Sequence, residues 1–443
     1  MVACVCLGGL SSYASADAPA SLQDQAKGLL ADDSLLFSTR NWYSKESGQR
    51  QTQFSINKGN GREAVRDRTA WSQNSMLKYT SGYTQGTVGF GLDLAVYNSI
   101  ALERGKGTAG GGGNRILTDK HSNVVPEWSK LGVGDVRLRV SNTELKLGWQ
   151  EISTPVLASV YTRALPSTYK GIALSSKEIE HFTFNAGTFT EVSPRTGDTA
   201  RRLTASYTNL PIEGDSLSYL GVDWQPNTRD RYQAYYSRFD DIWDRSYLGA
   251  IKYLGDKPVH YKLAVDYYRT RDQGESLGGY LHNDTYSVAF STLYGGHNVT
   301  LAWQQVIGDE FFAYVYDSNI QIANVFMSNF NGPNEKSLRL SYATDYAAYG
   351  IPGLSSMMWI AHGWDINGTE YKGGRGGISA LSLTQHNERH GEIGLMGTYV
   401  VQSGPVKGAS VNAGYAVHRA TDREVDGNIN EVRVITTFPF KIF

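Results

Sequence analysis

Few residue groups in this chain have the types and spacing that chemistry requires. Lys106 stands inside a glycine run, GKGTAGGGG, of the kind that can wrap a phosphate. A phosphate loop, however, needs G-x-x-x-x-G-K-[ST] between a strand and a helix, and neither that order nor a helix is present. His386 and His390 share an i, i+4 spacing in QHNERH, which on a helix would aim both rings at one metal ion. The flanking segments alternate like strands, so this pair is expected in a solvated loop. Serines, histidines and acids are plentiful, yet nothing in the sequence places a nucleophile beside a base. What remains is a set of charges on alternating positions, such as Arg137 and Arg139 between Val136, Leu138 and Val140. Rings of such charges set selectivity in channels; equally, they can simply solvate the interior of a wide barrel.

The elements that must position these charges are strands. Val88, Phe90, Leu92 and Leu94 alternate with Gly89, Gly91, Asp93 and Ala95, and the same period of two runs through 136–140, 143–150, 261–268, 286–291 and 411–418. No stretch is a membrane-spanning helix, which needs about twenty predominantly apolar residues. The longest segments without Asp, Glu, Lys or Arg, 285–308 and 346–364, are broken by polar residues, Gly or Pro every few positions.

The chain has 443 residues, with 48 Gly, 28 Tyr, 9 Trp and 2 Cys, and a formal net charge of -1 from 42 basic and 43 acidic residues. That balance provides no long-range field to recruit nucleic acid, and 40% hydrophobic content is too much for a disordered chain. Residues 1–16 carry no charge, are apolar through Leu10 and end in Ala14-Ser15-Ala16, a small-residue cleavage pattern. They read as an export leader that lacks its positive start, and both cysteines lie in it. Residues 17–443 then form a cysteine-free exported domain, without a disulfide framework or thiolate metal site.

Alternation alone fits a soluble β-sandwich as well as a barrel. Three features select the barrel: the pattern runs to the last residues, no linker divides the chain, and the chain is exported. Trp42, Tyr43, Trp71, Tyr79, Tyr83, Trp149, Tyr161, Tyr267 and Tyr268 fall near strand ends, where membrane girdles would place them. Closure leaves no unpaired edge in lipid, and the length suits sixteen to eighteen strands around a water-filled interior. Among the longer loops, 103–126 is glycine-rich. By contrast 153–171, STPVLASVYTRALPSTYKG, is apolar and proline-containing, as an ordered loop folded into the pore would be.

Seven blocks carry a family resemblance: ADDSLLFSTRNWY (31–43), YTSGYTQGTVGFGLD (79–93), NTELKLG (142–148), TPVLASVYTRALPSTYKG (154–171), YDSNIQIANVFMSNFNGPNEKS (316–337), GIPGL (350–354) and VVQSGPVKG (400–408). With them the sequence resembles the porin D (OprD) family of substrate-specific outer-membrane channels. The resemblance implies an all-β, transmembrane antiparallel barrel of 18 strands whose inward-folded third loop narrows the pore. It also implies an arginine ladder guiding small carboxylate-bearing solutes, such as amino acids, peptides and organic or aromatic acids. By the same resemblance Arg163, Asp317 and Ser318 fall at the constriction, joined there by Tyr161, and Arg137, Arg139 and Arg269 fall in strands where the family carries basic residues. With Arg339, on the face expected for Ser341, and Asp266 they are the expected pore-lining guide charges. Pro155, Leu165 and Pro166 frame the loop, and Arg271 falls in a strand segment where the family carries basic residues.

Departures from the family pattern include Tyr161 in place of an acid, and Ser341, Trp359, Asn412 and Gly414 where ladder arginines are usual. Asp266 is a further one. They predict a thinned ladder with a weaker carboxylate preference, and Trp359 is expected to offer an apolar surface to aromatic or aliphatic solutes. No enzymatic activity, cofactor or metal is expected. Partners are small solutes, outer-membrane lipid and lipopolysaccharide, not nucleic acid, with the chain a monomer or weak homotrimer. The alternatives are a barrel enzyme, a surface adhesin and, third, a soluble carbohydrate-binding sandwich.

Overall fold

The computed structural model describes residues 21–57, 61–105, 117–208, 211–255, 258–373 and 380–443. The leader expected over 1–16 and the glycine run around Lys106 lie outside the described residues. Strands run in chain order as β1 (Ser34–Gly48), β2 (Phe54–Asn57), β3 (Arg62–Val65), β4 (Asp67–Thr80), β5 (Val88–Ala101), β6 (Glu127–Val140) and β7 (Thr143–Gln150). They continue as β8 (Thr168–Ser176), β9 (Phe182–Ser193), β10 (Arg201–Arg202), β11 (Leu217–Trp224), β12 (Arg231–Phe239), β13 (Trp243–Leu254) and β14 (Val259–Asp272). The last seven are β15 (His282–Tyr294), β16 (His297–Ile307), β17 (Lys336–Asp345), β18 (Leu354–Asn367), β19 (His386–Val400), β20 (Ser410–Ala420) and β21 (Ile429–Lys441).

Setting aside the short hairpin β2–β3 and the two-residue β10, the remaining 18 strands pair antiparallel with their sequence neighbours. The seam closes between β21 and β1, from Leu36↔Lys441 to Gly48↔Ile429. Each neighbour pair is joined by a short turn at one end and, mostly, a longer loop at the other. No helix of the described residues is long and apolar enough to cross a membrane.

The two faces of the sheet settle its solvent. Along β5, Val88, Phe90, Leu94 and Val96 are exposed, while Gly89, Gly91, Asp93, Ala95 and Tyr97 between them are buried. A soluble sandwich would do the reverse, because exposing rows of large side chains to water forfeits about 1.5–3 kcal/mol per residue. Facing lipid, the same rows carry no such cost, and the closed ladder leaves no sheet edge unpaired. Tyr43, Trp71, Trp149 and Tyr267 stand on this outer face near the loop end, and Tyr79 near the turn end. Trp42, Tyr83 and Tyr268, expected among the girdle residues, point inward and are buried instead. Tyr161 lies on a loop.

Glycines on the inner face make room for large rings lying flat against the wall. A Cβ at Gly132 would stand 2.3 Å from the Tyr97 ring, and one at Gly394 2.1 Å from the Trp359 indole. The interior also differs from the water-filled lumen expected. One apolar cluster, including Leu157, Tyr169, Phe189, Leu203, Phe239, Trp243, Tyr268 and Phe312, packs loop residues onto the inner wall of β8–β16. A second gathers Trp42, Tyr97, Trp128, Ala164 and Leu165. These clusters put packed side chains inside the barrel where open water was expected.

Candidate functional site: an arginine-bearing cavity in the barrel

The segment 151–167 joins β7 to β8 and is shorter than expected, since Thr168–Gly171 already pair with β9 as the start of β8. Its ends are anchored in different apolar clusters: Ile152, Val156 and Leu157 in one, Ala164 and Leu165 in the other. The inner face of β1 holds it through Arg40 Nη1 donating to the Tyr161 carbonyl (2.7 Å) and Trp42 Nε1 to that of Thr162 (3.3 Å). From β14, Tyr268 donates its hydroxyl proton to the Pro155 carbonyl (2.9 Å). These contacts reach inner walls on well-separated strands.

The segment also locks onto 308–335, the long connection between β16 and β17. Ser159 bridges Ser318, the Ala158 amide donates to Ser318 Oγ (3.1 Å), and Asn319 returns an N–H to the Ala158 carbonyl (3.0 Å). The Asp317 carbonyl accepts from Ser167 Oγ (2.9 Å) and Tyr169 OH (2.8 Å). Asp317 adopts a left-handed φ of 62°, which an Asp tolerates better than most residues because its short side chain bonds locally. Its carboxylate is buried against Arg195, with Nε 3.0 Å from Oδ1 and the Arg195 amide 3.2 Å from Oδ2.

Beside this latch lies a cavity of about 1340 Å³, lined among others by Arg163, Arg195, Arg201, Arg433, Tyr316, Asp317, Phe326 and Asp426. Arg195 Nη1 donates to Thr162 Oγ1 (2.8 Å), Arg201 lies 5.4 Å from the Tyr316 ring centre, and Arg433 pairs with Glu431 (2.7 Å) over the Trp42 ring. Burial, then the neighbouring Arg195 and Arg433 guanidiniums, push Arg163 down to about 9, against the opposing pull of Tyr316 and Asp317. It remains a cation at neutral pH. The arginines can hold an anion through charge-assisted hydrogen bonds, while acidic side chains on the same lining, Glu46, Glu213, Asp317, Asp422, Glu424, Asp426 and Glu431, limit how strongly.

Tyr161 is exposed, and Arg163, Asp317 and Ser318 line the cavity. The expected guide charges do not join them. Arg137 is buried near the turn end, 3.3 Å from Asp93 and bonded to the Ser81 carbonyl, and Arg139 donates to Gln23 Oε1 (3.0 Å). Their guanidiniums lie 4.6 and 3.8 Å from the Tyr83 ring centre. Arg339 faces inward but is spent on Asn324 Oδ1 (3.2 Å) and Ser341 Oγ (2.7 Å), propping 308–335. Asp266 also faces inward and accepts from Tyr247 (2.8 Å) and Ser287 (3.1 Å). Arg269 is placed on the outer face: it shares parity with Leu263, Val265 and Tyr267 and is exposed. A guide role requires the opposite parity.

The inward register expected at Ser341, Trp359, Asn412 and Gly414 agrees with the strand faces. Trp359, however, offers no free surface. It is buried under Phe326, rings 4.8 Å apart and nearly parallel, with Nε1 bonded to Glu392 (2.7 Å). His386 and His390 lie in β19 rather than a solvated loop, and His390 is buried against Glu335 and His418. Sequence reasoning also passed over Arg40, Arg433 and Arg195. Alternation could have found the first two, since Arg40 shares the parity of Trp42, and Arg433 alternates with Val432 and Val434. Arg195 follows Pro194 in an aperiodic loop, and no such signal marks it.

The family model described as "outer membrane porin, OprD family" matches residues 27–442. Porin D of Pseudomonas aeruginosa is 33% identical, covering 98% of this chain and 96% of its own. Among solved structures, P. aeruginosa OccD3 (OpdP) aligns with a TM-score of 0.83 at 40% identity, over 95% of this chain and 94% of that one. P. aeruginosa OpdK with vanillate aligns with a TM-score of 0.80 at 25% identity, over 94% and 100%. The chain belongs to the OprD family of outer membrane porins, and its barrel stands in the outer membrane of a Gram-negative bacterium.

Proposed function

We propose that this porin is a passive, substrate-selective channel for small carboxylate-bearing solutes, with Tyr161, Arg163, Asp317 and Ser318 at its constriction. In this reading residues 1–16 are removed on export and 17–443 form the channel. The observation that carries it is the grouping of Arg163, Arg195, Arg201 and Arg433 on one cavity beside the segment 151–167. Guanidiniums suit carboxylates because their planar donors match both oxygens. A relative solved with vanillate, an aromatic carboxylate, supports the same solute class. Uptake requires a site firm enough to admit the solute and weak enough to release it. Internal pairing of Arg195 with Asp317 and of Arg433 with Glu431 provides that weakness.

The turn-end half of the ladder is thinned, with neutral Ser341, Asn412 and Gly414 on the inner face. Refolded protein in a planar bilayer tests both parts. Small discrete steps, an anion-favouring reversal potential in a salt gradient and blockades by added carboxylates are expected. A folded barrel that never conducts would refute the channel and turn attention to hydrolysis or adhesion. Asn412→Arg with Gly414→Arg is expected to raise carboxylate uptake, and unchanged uptake would refute the thinned ladder.

A further inference from the structure

At the loop end of β19 and β20, two imidazoles and two carboxylates converge. His390 belongs to β19, His418 to β20, and Glu424 and Asp426 to the 421–428 connection that follows. One ligand atom from each lies within 4.8 Å of the others; the first three residues are buried and Asp426 is exposed toward the cavity. His390 Nδ1 is 2.9 Å from His418 Nε2 and 3.7 Å from Glu424 Oε1. A tetrahedral zinc ion with bonds of about 2.0–2.1 Å puts neighbouring ligand atoms about 3.3 Å apart. These two separations fall either side of that value and the other pairs lie within 4.8 Å, so the groups would draw together by at most about 1.5 Å to complete the cage.

The atoms that would not bind metal are already occupied. His390 Nε2 meets Glu335 Oε1 (2.7 Å), whose other oxygen accepts the Gly332 amide (2.7 Å). His418 Nδ1 meets the Gly427 carbonyl (2.6 Å), leaving Nε2 facing its partners. Glu424 Oε2 accepts the amides of Asp426 (3.0 Å) and Gly427 (3.1 Å), leaving Oε1 inward, and Asp426 Oδ2 accepts Ser328 Oγ. Such outer contacts fix the tautomer and aim of ligating groups at metal centres. Charge argues the same way. Glu335, Glu424 and Asp426 gather around the two rings, so a divalent cation held by both imidazoles would sit among three carboxyl groups.

We propose that His390, His418, Glu424 and Asp426 form a four-coordinate site for a zinc-class divalent transition ion, with Glu335 as a positioning residue. Two nitrogen ligands disfavour Ca²⁺ and Mg²⁺, which take oxygen. A closed four-ligand set fits a structural ion rather than a catalytic one. The ion would pin 421–428 to the wall and, through Ser328 and Glu335, to the 308–335 segment beside the pore.

The test is zinc titration of the refolded full chain in detergent against a chromophoric chelator, with Co²⁺ absorption reporting tetrahedral geometry. One equivalent is expected, with Mg²⁺ unable to compete. His418→Gln should weaken zinc at least ~100-fold, and Glu335→Gln, which touches no metal, by roughly 10–100-fold. Asp426→Asn alters an exposed side chain and so keeps the test open should a histidine variant fail to fold; it should weaken zinc ~10-fold or more and lower the Co²⁺ absorption. Absence of stoichiometric binding, equal affinity in Asp426→Asn, or equal binding of Mg²⁺ would overturn the site. Zinc affinity is read without any solute, so it stands or falls separately from the channel reading.

Discussion

Asp317→Asn changes the charge of the constriction with little change of shape. The residue sits at φ 62°, where Asn is among the few tolerated side chains, and its carbonyl keeps the bonds from Ser167 and Tyr169. What is lost is the carboxylate 3.0 Å from Arg195 Nε. An anion touching Arg195 at about 4 Å lies about 7 Å from Asp317 when approaching from the far side. With an effective dielectric constant of ~60 for a wet pore, attraction to the guanidinium is ~1.4 kcal/mol and repulsion from the carboxylate ~0.8, leaving ~0.6. Removing the carboxylate restores the full attraction, a gain of ~0.8 kcal/mol or about fourfold in anion weight. Reversal potentials in a salt gradient across a planar bilayer should move toward the anion by about that factor, and less at high salt. Asp317→Ala, by contrast, adds ~1 kcal/mol of left-handed strain and should also make the open current noisier as the latch loosens. An unchanged reversal potential in a correctly folded Asp317→Asn barrel would show that permeating ions do not pass Arg195, and the constriction would have to be placed elsewhere.

Arg163→Gln should weaken carboxylate block roughly 5–30-fold, the loss of one charge-assisted hydrogen bond of about 1–2 kcal/mol. Arg139→Gln, near the turn end against Gln23 and Tyr83, should change it by less than about twofold; equal effects in dose–response blockade would refute the assignment. Tyr268→Phe leaves the Pro155 carbonyl without its hydroxyl donor and the Gln321 amide without its acceptor, at about 1–3 kcal/mol each. Single-channel recordings should show larger open-state noise, and quiet recordings would contradict a segment held from β14. Glu310, in the 308–335 connection, is pushed up to about 7 mainly by burial, with Asp309 adding to it and the His282 amide opposing. Folded chains therefore hold a proton that unfolded chains have lost between pH 4.5 and about 7, so stability falls as pH rises through that window and is flat above it. The slope is worth about 3 kcal/mol and should vanish in Glu310→Gln; a urea midpoint in vesicles with the same pH dependence in both proteins would refute it.

Period-two alternation is enough to read the strands and their faces, though not the barrel by itself, because lipid outside and polar groups inside leave each strand one permissible register. Val88 to Ala95 shows this, and so does the inward placement of Ser341, Asn412 and Gly414. Arg269 shows the limit. Its strand was located correctly, but its parity belongs with Leu263 and Tyr267, so being basic in the right strand did not make it a lumen charge. A second limit separates facing inward from being available. Arg137, Arg339 and Trp359 all point into the barrel, yet Asp93, Asn324 and Phe326 respectively engage them. Those partners come from other strands or from the aperiodic 308–335 connection, and alternation says nothing about such long-range packing. Of the charges that reach the cavity, Arg163 and Arg195 come from loops, where no period exists to mark them, whereas Arg433 stands in β21 and was open to alternation. In this barrel the strands are legible because their solvent dictates their pattern. Selectivity is less so, because it is set by which inward charges the loops leave uncovered.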